Sequence, residues 1–413
     1  MNEHTAFINA NIEDPEDDLP RLVYADWLEE QGDPRGEFIR LQVQHAALPE
    51  YDPARVRLEG RARQLLDAHI HTWTKPIGAK VQDLKFRRGF VESLTMRAKA
   101  FVERGEEVFQ STPIRWLRLV YFKKQVKNLL ESPNLRYIRS WDASRITIAP
   151  HELEALLASK RMTGLRELDL SLQNFRFHDS TATAFTKAKW VNQLTELNLY
   201  GVEIEDSFWK EFLELEWNSL KRFSLGGGMT RTSPTNFAQL NAPSLESLKV
   251  GGKLRVVDVE QICQIPNLHL KQLDLAKTRP PAKGMHALAA SGILETVEDL
   301  DLTRCDLTDK GAQTMMQGNF LKNCKSLRLG ENQRLTFPFW TLLANHAALK
   351  NLRFLDLTDT PLNIQALRKL AESPHLQNLV ALWTTPSEQE HAVIHELKGR
   401  LGDGFRHRTR KLW

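Results

Sequence analysis

Residue types that support catalysis occur in this sequence, but they occur as isolated groups. Cys305 offers a thiol nucleophile, His391 and His395 lie at the i, i+4 spacing of a helical metal site beside Glu396, and three glycines at 226–228 are of a kind that cradles phosphate. The histidines have no third ligand nearby, no Lys-Ser or Lys-Thr follows the glycines, and Cys305 fits a buried position. We therefore expect no enzyme, no metal and no cofactor.

Aromatic and arginine side chains suggest a different kind of chemistry. Tryptophan, tyrosine and arginine dominate protein interfaces because they bury a large area at low entropic cost and keep a polar end. Six such residues are predicted to form a partner-binding anchor. They are Trp116, Arg118, Tyr137, Arg139, Trp141 and Tyr200.

The elements that must position these side chains follow from a recurring pattern of leucines. The segment 297–309, VEDLDLTRCDLTD, has apolar residues at positions 1, 4 and 6, and the same spacing begins at Leu165, Leu194, Leu270 and Leu352. In a short strand, positions 4 and 6 point inward and positions 3, 5 and 7 point outward. This is the pattern of a leucine-rich repeat, which is stable only when several copies stack.

About eleven repeats can be placed by the residue at position 1. These residues are Val91, Ile114, Leu135, Leu165, Leu194, Leu220, Leu245, Leu270, Val297, Cys324 and Leu352. Their mean spacing of about 26 residues is typical of repeats that carry a helix, the ribonuclease-inhibitor-like class. We predict an α/β solenoid shaped as a horseshoe, with parallel strands on the concave face and helices on the convex face. A weaker copy is placed at Leu376, and the helices within 226–264 are predicted to be short or replaced by turns.

The N-terminal residues show helical periodicity, and they carry a resemblance. Leu19, Leu22, Val23 and Trp27 are predicted to form the buried stripe of one helix. The run DLPRLVYADWLEEQGDPRGEFIRLQ at 18–42 closely resembles the repeat-companion domain at the N-terminus of many bacterial leucine-rich-repeat proteins. RRGFVESLTM at 87–96 is similar to the way such proteins pass into their repeats. The resemblance implies a small helical domain before the solenoid and implies no activity.

Four domains are expected. They are a helical companion domain at 1–50, a bridging helix and linker at 51–80, the solenoid at 81–385, and a capping helix with a basic tail at 386–413. Within the bridge and the solenoid, Val81 to Met96 is predicted to form a hairpin that turns at Arg88 and Gly89.

Bulk composition predicts a cytoplasmic protein. The chain has 413 residues, of which 41% are hydrophobic and 26% charged. It contains no apolar run long enough for a bilayer and no signal-peptide pattern at its start, so no membrane association is expected. Three cysteines give no disulfide framework. Acids outnumber bases strongly in the first fifty residues, which leaves open that these helices cover the anchor and pair with Arg118 and Arg139.

The functional hypothesis is a non-catalytic scaffold that binds a protein partner, of unidentified kind, on the concave face. One alternative is a nucleic-acid-associated protein that uses basic segments at 55–63, 85–88 and 406–411, although the sequence shows no concentrated basic groove and nucleic acid is therefore not expected as the partner. The others are a regulatory subunit of an enzyme and a small-ligand sensor. The sequence does not specify the oligomeric state.

Overall fold

The structure is a computed structural model, and it describes residues 3–14, 16–78, 81–122, 124–146, 149–172, 177, 179–226, 236–316, 320–385 and 392–407. The chain forms two compact units. The first comprises residues 1–50, 54–170 and 179–194, and the second comprises residues 51–53, 171–178 and 195–413. The predicted domain boundaries at 50, 80 and 385 stay predictions.

The first unit begins with four helices and continues with strands that are separated by helices. Its α-helices are α1 Glu3–Glu13, α2 Leu19–Glu30, α3 Arg35–Ala47, α4 Ala54–Thr74, α5 Ala98–Ser111, α6 Val126–Glu131, α7 Pro150–Leu157 and α8 Asp179–Thr186. Its strands are β1 Val81–Arg87, β2 Phe90–Arg97, β3 Trp116–Val120, β4 Ser140–Asp142 and β5 Glu167–Asp169. Short 3₁₀ helices cover Lys75–Ile77, Pro133–Tyr137 and Val191–Gln193.

The second unit repeats the alternation of strand and helix. Its strands are β6 Glu196–Asn198, β7 Arg222–Gly226, β8 Ser247–Gly251, β9 Gln272–Asp274, β10 Asp299–Asp301, β11 Ser326–Arg328, β12 Phe354–Leu357, β13 Ala381–Thr384 and β14 Phe405–His407. Its α-helices are α9 Asp206–Leu213, α10 Val256–Cys263, α11 Ala282–Ala290, α12 Asp309–Met316, α13 Phe337–Ala344, α14 Ile364–Ala371 and α15 Ala392–Leu401. Its 3₁₀ helices are Phe237–Gln239, Ile293–Glu295, Phe320–Lys322, Ala347–Asn351 and Gly402–Gly404.

Within each unit the strands pair in chain order, and every pair after the first is parallel. The first pair, β1 and β2, is the predicted antiparallel hairpin. Arg88 and Gly89 form its turn, with φ of 47° and 88°. Two consecutive residues with positive φ match the twist of a two-residue hairpin, and glycine takes that conformation at little cost.

The helix α2 packs through only part of the predicted stripe: Leu22 and Trp27 contact the core, and Leu19 and Val23 do not belong to it. Tyr24 and Ala25 are fully buried and share a core with Ile39 and Phe90, whereas Leu19 and Val23 are 64% and 46% exposed. Arg21 occupies the buried face because its guanidinium forms an ion pair with Glu92 of β2 at 2.9 Å, and both side chains are fully buried. The buried charge pair thus adds Arg21 to the packed face of the helix, which apolar spacing alone did not predict.

The repeat pattern predicted from the leucines is confirmed by side-chain burial along the strands. In β9 to β12 the residues at positions 4 and 6 are buried, as Leu300 and Leu302 show in β10, and they build the core of the second unit. At position 8 the backbone turns left-handed in nine of the ten repeats described at that position; the exception is the repeat of Val91, where position 8 is Ala98, the first residue of α5. The nine residues are Tyr121, Arg145, Leu172, Gly201, Gly252, Lys277, Arg304, Glu331 and Asp359.

Two predicted repeats were placed three residues too early. Pairing of Leu117 with Trp141 puts position 1 of the third repeat at Ile138, and pairing of Leu355 with Leu382 puts position 1 of the last at Leu379. Leu135, in contrast, lies in the 3₁₀ helix before the strand. The corrected spacings around the third repeat are 24 and 27 residues, in place of 21 and 30.

The region 226–264 keeps one full helix. The repeat that begins at Leu245 carries α10, Val256–Cys263, which is as long as most other repeat helices. The preceding repeat carries the short 3₁₀ helix Phe237–Gln239 in its described part.

In the described residues, no helix is both long and apolar enough to cross a membrane. The strands and helices are compatible with leucine-rich-like repeats, while the horseshoe shape and a separate helical domain stay predictions.

Candidate functional site

The outward side of the strands, where positions 3, 5 and 7 project, is called the strand face here. Of the six predicted anchor residues, Trp116 and Arg118 lie on it at positions 3 and 5 of β3 in the first unit. The Trp116 ring lies between two guanidinium groups, with the Cζ atoms of Arg87 and Arg115 at 4.5 and 4.3 Å from its centroid. Stacked guanidiniums leave an aromatic ring framed by positive charge, which suits a partner with acidic groups.

Arg118 is already engaged within the first unit. Its guanidinium binds Asp142 Oδ2 at 2.9 Å, Ser144 Oγ at 3.0 Å and the Ser144 carbonyl at 2.8 Å. These bonds hold the side chain in one conformation, so a partner that contacts it incurs little additional ordering cost.

Three anchor predictions were placed wrongly because they followed the misplaced third repeat. Trp141 is 2% exposed and sits at position 4, where it packs in the core. Tyr137 lies in the 3₁₀ helix before β4, and Arg139 lies at position 2, just before the strand. None of the three projects from the strand face.

The sixth residue, Tyr200, lies at position 7 in the second unit. The Lys249 ammonium is 5.4 Å from its ring centroid and forms an ion pair with Asp274 at 2.8 Å. Tyr200 therefore does join a group of charged side chains on the strand face of its own unit. Whether any of the six residues contacts a partner stays a prediction.

Acids at position 5 have a structural role where the strands end. Asp301 Oδ1 accepts the backbone N–H of Thr303 at 2.8 Å, and Asp356 Oδ1 accepts that of Thr358 at 2.9 Å. Asp142, Asn198 and Asp274 make the same bond two residues ahead. Side chains of this type close an Asx turn, so these carboxylates end the strands and are partly neutralised by local donors.

An aromatic patch on the strand face of the second unit was missed in the sequence. Phe354 at position 3 of β12 packs against Trp383 at position 5 of β13, with ring centroids 4.6 Å apart. Tyr51, from the segment Tyr51–Pro53 that belongs to this unit, stacks on Phe354 at 5.0 Å with an interplanar angle of 10°. Arg328 also lies over Phe354, at 5.3 Å from its centroid. We call Tyr51, Phe354, Trp383 and Arg328 the aromatic patch.

The N-terminal acids do not pair with Arg118 or Arg139 in the described residues. Glu16 instead pairs with Arg115 at 2.7 Å, beside the Trp116 ring. The cover on Trp116 comes from Arg87 of the hairpin and from Arg115, and the ring remains partly exposed. The expectation that helices at 1–50 bury the anchor is thus not met at Trp116.

Groups considered for catalysis occupy structural positions. The Cys305 thiol is buried and donates to the Leu275 carbonyl at 3.0 Å, and burial raises its pKa to about 11. Burial likewise raises the pKa of Cys324 to about 12. His391 and the glycines at 227 and 228 fall outside the described residues. Among the residues that are described, no group of three or more His, Cys, Asp or Glu side chains is placed to hold a metal ion.

Three residues of the basic segments considered for nucleic acid are paired with acids in the described residues. Arg61 forms a bidentate pair with Glu37, Arg63 pairs with Glu59, and Arg88 pairs with Glu92. The tail beyond His407 falls outside the described part of the chain.

Comparison with known proteins gives matches among solved structures alone. No protein-family model matches the chain, and no curated protein matches it. Among solved structures, a chain of the octameric complex of Latrophilin 3 (Lec, Olf), Unc5D (Ig, Ig2, TSP1) and FLRT2 (LRR) matches with 15% sequence identity and a TM-score of 0.31. The match covers 80% of this chain and 86% of that chain. A TM-score of this size does not establish a shared fold.

Proposed function

We propose that this chain is a non-catalytic protein-binding module whose partner contacts the strand face. The observation that carries the proposal is the stacking of Tyr51 on Phe354 within the aromatic patch. Tyr51 is separated from Phe354 by some three hundred residues of sequence, yet its ring stacks flat on the strand face. The strand face therefore accepts an aromatic side chain from a segment that belongs to no repeat.

The chemistry of the exposed groups favours a partner with aromatic and acidic side chains. Trp116 offers a ring together with the positive charge of Arg87, while the charge of Arg115 is offset by Glu16 at 2.7 Å and Glu167 at 3.4 Å. Such partly exposed tryptophan and arginine residues are enriched among those that dominate binding energy. The repeats carry helices, which supports their assignment to the ribonuclease-inhibitor-like class of leucine-rich repeat. A scaffold role in the cytoplasm is also part of this proposal.

The test is capture of partners from cell lysate with two strand-face variants. One replaces Trp116 and Arg118 by alanine, and the other replaces Tyr200 and Lys249. The matched control replaces Phe337 and Arg368, an exposed aromatic and an exposed arginine on helices α13 and α14. We expect at least one strand-face variant to lose a discrete protein, measured by quantitative mass spectrometry, while the helix variant retains it.

Each capture is run with and without nuclease, and the folding of every variant is checked by circular dichroism. Loss of the same protein from the helix variant, or its retention by both strand-face variants, would contradict the strand face as the binding surface. Recovery that disappears with nuclease would favour the nucleic-acid alternative.

A further inference from the structure

A cavity in the first unit brings Tyr137 and Arg139 together with two other arginines. These residues do not project from the strand face, and the sequence had not indicated the cavity. Its volume is about 370 Å³, and it is lined by Arg136, Arg139, Arg166 and Tyr137, with an apolar wall that includes Phe109 and Ile12. The arginines come from residues just before β4 and β5, and the apolar wall comes from α5 and α1. A volume of this order is in the range of small-ligand pockets.

The cavity carries positive charge without an acidic lining. None of the described residues that line it has a carboxylate. Arg136 is bonded to the Tyr137 hydroxyl at 2.7 Å and lies 3.8 Å from Glu106, which offsets part of its charge. Arg139 is exposed, and no ion pair holds its side chain within the described part of the chain. Arg139 is therefore an arginine of the cavity whose charge no described acid offsets.

Arg166 is held in place by the backbone. Its guanidinium donates to the carbonyls of Leu165 at 3.1 Å and Thr163 at 3.4 Å. Burial lowers the pKa of Arg166, and the nearby charge of Arg139 lowers it further, which agrees with two guanidiniums that face the same space. An anion between them would relieve this repulsion and accept planar, paired hydrogen bonds.

The apolar wall limits which kinds of anion the cavity can bind favourably. The Phe109 and Tyr137 rings are stacked at 5.5 Å with an interplanar angle of 21°, and Phe109 is mostly buried. An ion surrounded by water, such as phosphate, would leave this wall unused. A carboxylate attached to an apolar or aromatic body would satisfy both the arginines and the wall.

We propose that this cavity is a binding site for a carboxylate carried on an apolar body, either the C-terminus of a peptide or a free small acid. The site is separate from the strand face and does not rest on the proposed function. Arg139 and Arg166 bind the carboxylate, and the ring wall contacts the body next to it.

The test uses the full chain and defined probes, with binding measured by saturation-transfer NMR and calorimetry. The probes are acetyl-Gly-Gly-Phe with a free carboxylate, the same peptide as its C-terminal amide, acetyl-Gly-Gly-Gly with a free carboxylate, N-acetylphenylalanine and inorganic phosphate. We expect the free acid with phenylalanine to bind at least tenfold more tightly than its amide, its glycine analogue or phosphate.

Variants locate the site. Arg139→Gln and Arg166→Gln are expected to reduce binding of the free acid about tenfold, whereas Arg161→Gln, which removes an exposed arginine outside the cavity, leaves it unchanged. Arg139 is exposed, so its variant should keep the melting temperature, which serves as the folding control. Equal binding of acid and amide, equal binding of phosphate, or undiminished binding by the folded Arg139 variant would overturn the proposal.

The two sources of the ligand are separated by the small probe. If N-acetylphenylalanine binds as tightly as the tripeptide acid, the site takes a free small acid. If it binds at least tenfold more weakly, the preceding peptide bonds contribute and the ligand is a chain end. Both results support the carboxylate site.

Discussion

At the scale of single residues, burial decides which groups are reactive. Cys305 and Cys324 are 1% exposed, and Cys305 donates to a main-chain carbonyl of the neighbouring repeat. A thiol in such a place is unreactive because the thiolate, which is the nucleophile, is disfavoured there. Cys263 is only partly buried.

This difference predicts the order in which the thiols react with a disulfide reagent such as DTNB at pH 8. With a pKa of about 11 for Cys305 and about 12 for Cys324, at most about one thiol in a thousand is ionised at that pH. We expect Cys263 to react first and the other two only after denaturant is added, with labelled sites identified by peptide mass. Rapid labelling of Cys305 in the native chain would contradict this environment.

The same shifts fix the sign of a pH effect on stability. An unfolded thiol ionises near its ordinary pKa, while the native thiol keeps its proton to about pH 11. The unfolded state therefore binds fewer protons in that interval, and the free energy of unfolding should fall as the pH rises through it. This slope should be smaller in a Cys305→Ala variant.

At the scale of elements, the leucine pattern predicted the strands well where all three inward positions are aliphatic, as in β10. It failed in two repeats whose inward positions include Trp141 or Thr384 and in which another leucine lies three residues before position 1. Leu135 follows Pro133, and Leu376 follows Pro374; each leucine packs in the turn that ends the helical segment, three residues before position 1. Apolar spacing alone does not separate these two alignments. Strand pairing and the left-handed residue at position 8 do, as Arg145 shows with φ of 50°.

The corrected register predicts unequal costs for two tryptophan variants of the first unit. Trp141→Ala removes a core side chain and should lower the free energy of unfolding by about 3–5 kcal/mol. Trp116→Ala removes a partly exposed ring from the strand face and should cost about 1 kcal/mol, of the size of an exposed contact with a cation. Urea denaturation of both variants measures the difference. Equal losses of unfolding free energy in the two variants would support the register with Leu135 at position 1, which the leucine spacing had predicted.

At the scale of the whole molecule, sequence predicted the repeats but not the sites that form between distant segments. The arginine cavity combines α1 and α5 with residues that precede two strands, and nothing in the local spacing of Ile12 or Phe109 points to Arg139. The aromatic patch likewise depends on Tyr51, which lies in no repeat. Periodicity reports which side of an element is buried, and it contains no information on which distant segment covers that side.

Tyr51 provides a test of such a distant contact. Tyr51→Ala removes the ring stacked on Phe354. Besides the cost of the apolar area that is no longer buried, loss of the ring pair should lower the free energy of unfolding by about 1 kcal/mol, which is the size typical of aromatic pairs. Tyr51→Phe keeps the ring and should lie close to the unchanged protein. Chemical denaturation of both variants gives the comparison. If the two variants prove equally stable, the stacked ring makes no contribution.

The contact between Tyr51 and Phe354 also has a consequence for synthesis. Residues between them must be translated before the second ring exists, and the interval of some three hundred residues takes roughly 15 to 60 seconds at about 5–20 residues per second. During that time the helices on either side of Tyr51 are already outside the ribosome, and their connecting segment has no ring to stack on. The segment is thus one of the first parts of the chain to be made and one of the last to reach its final contact.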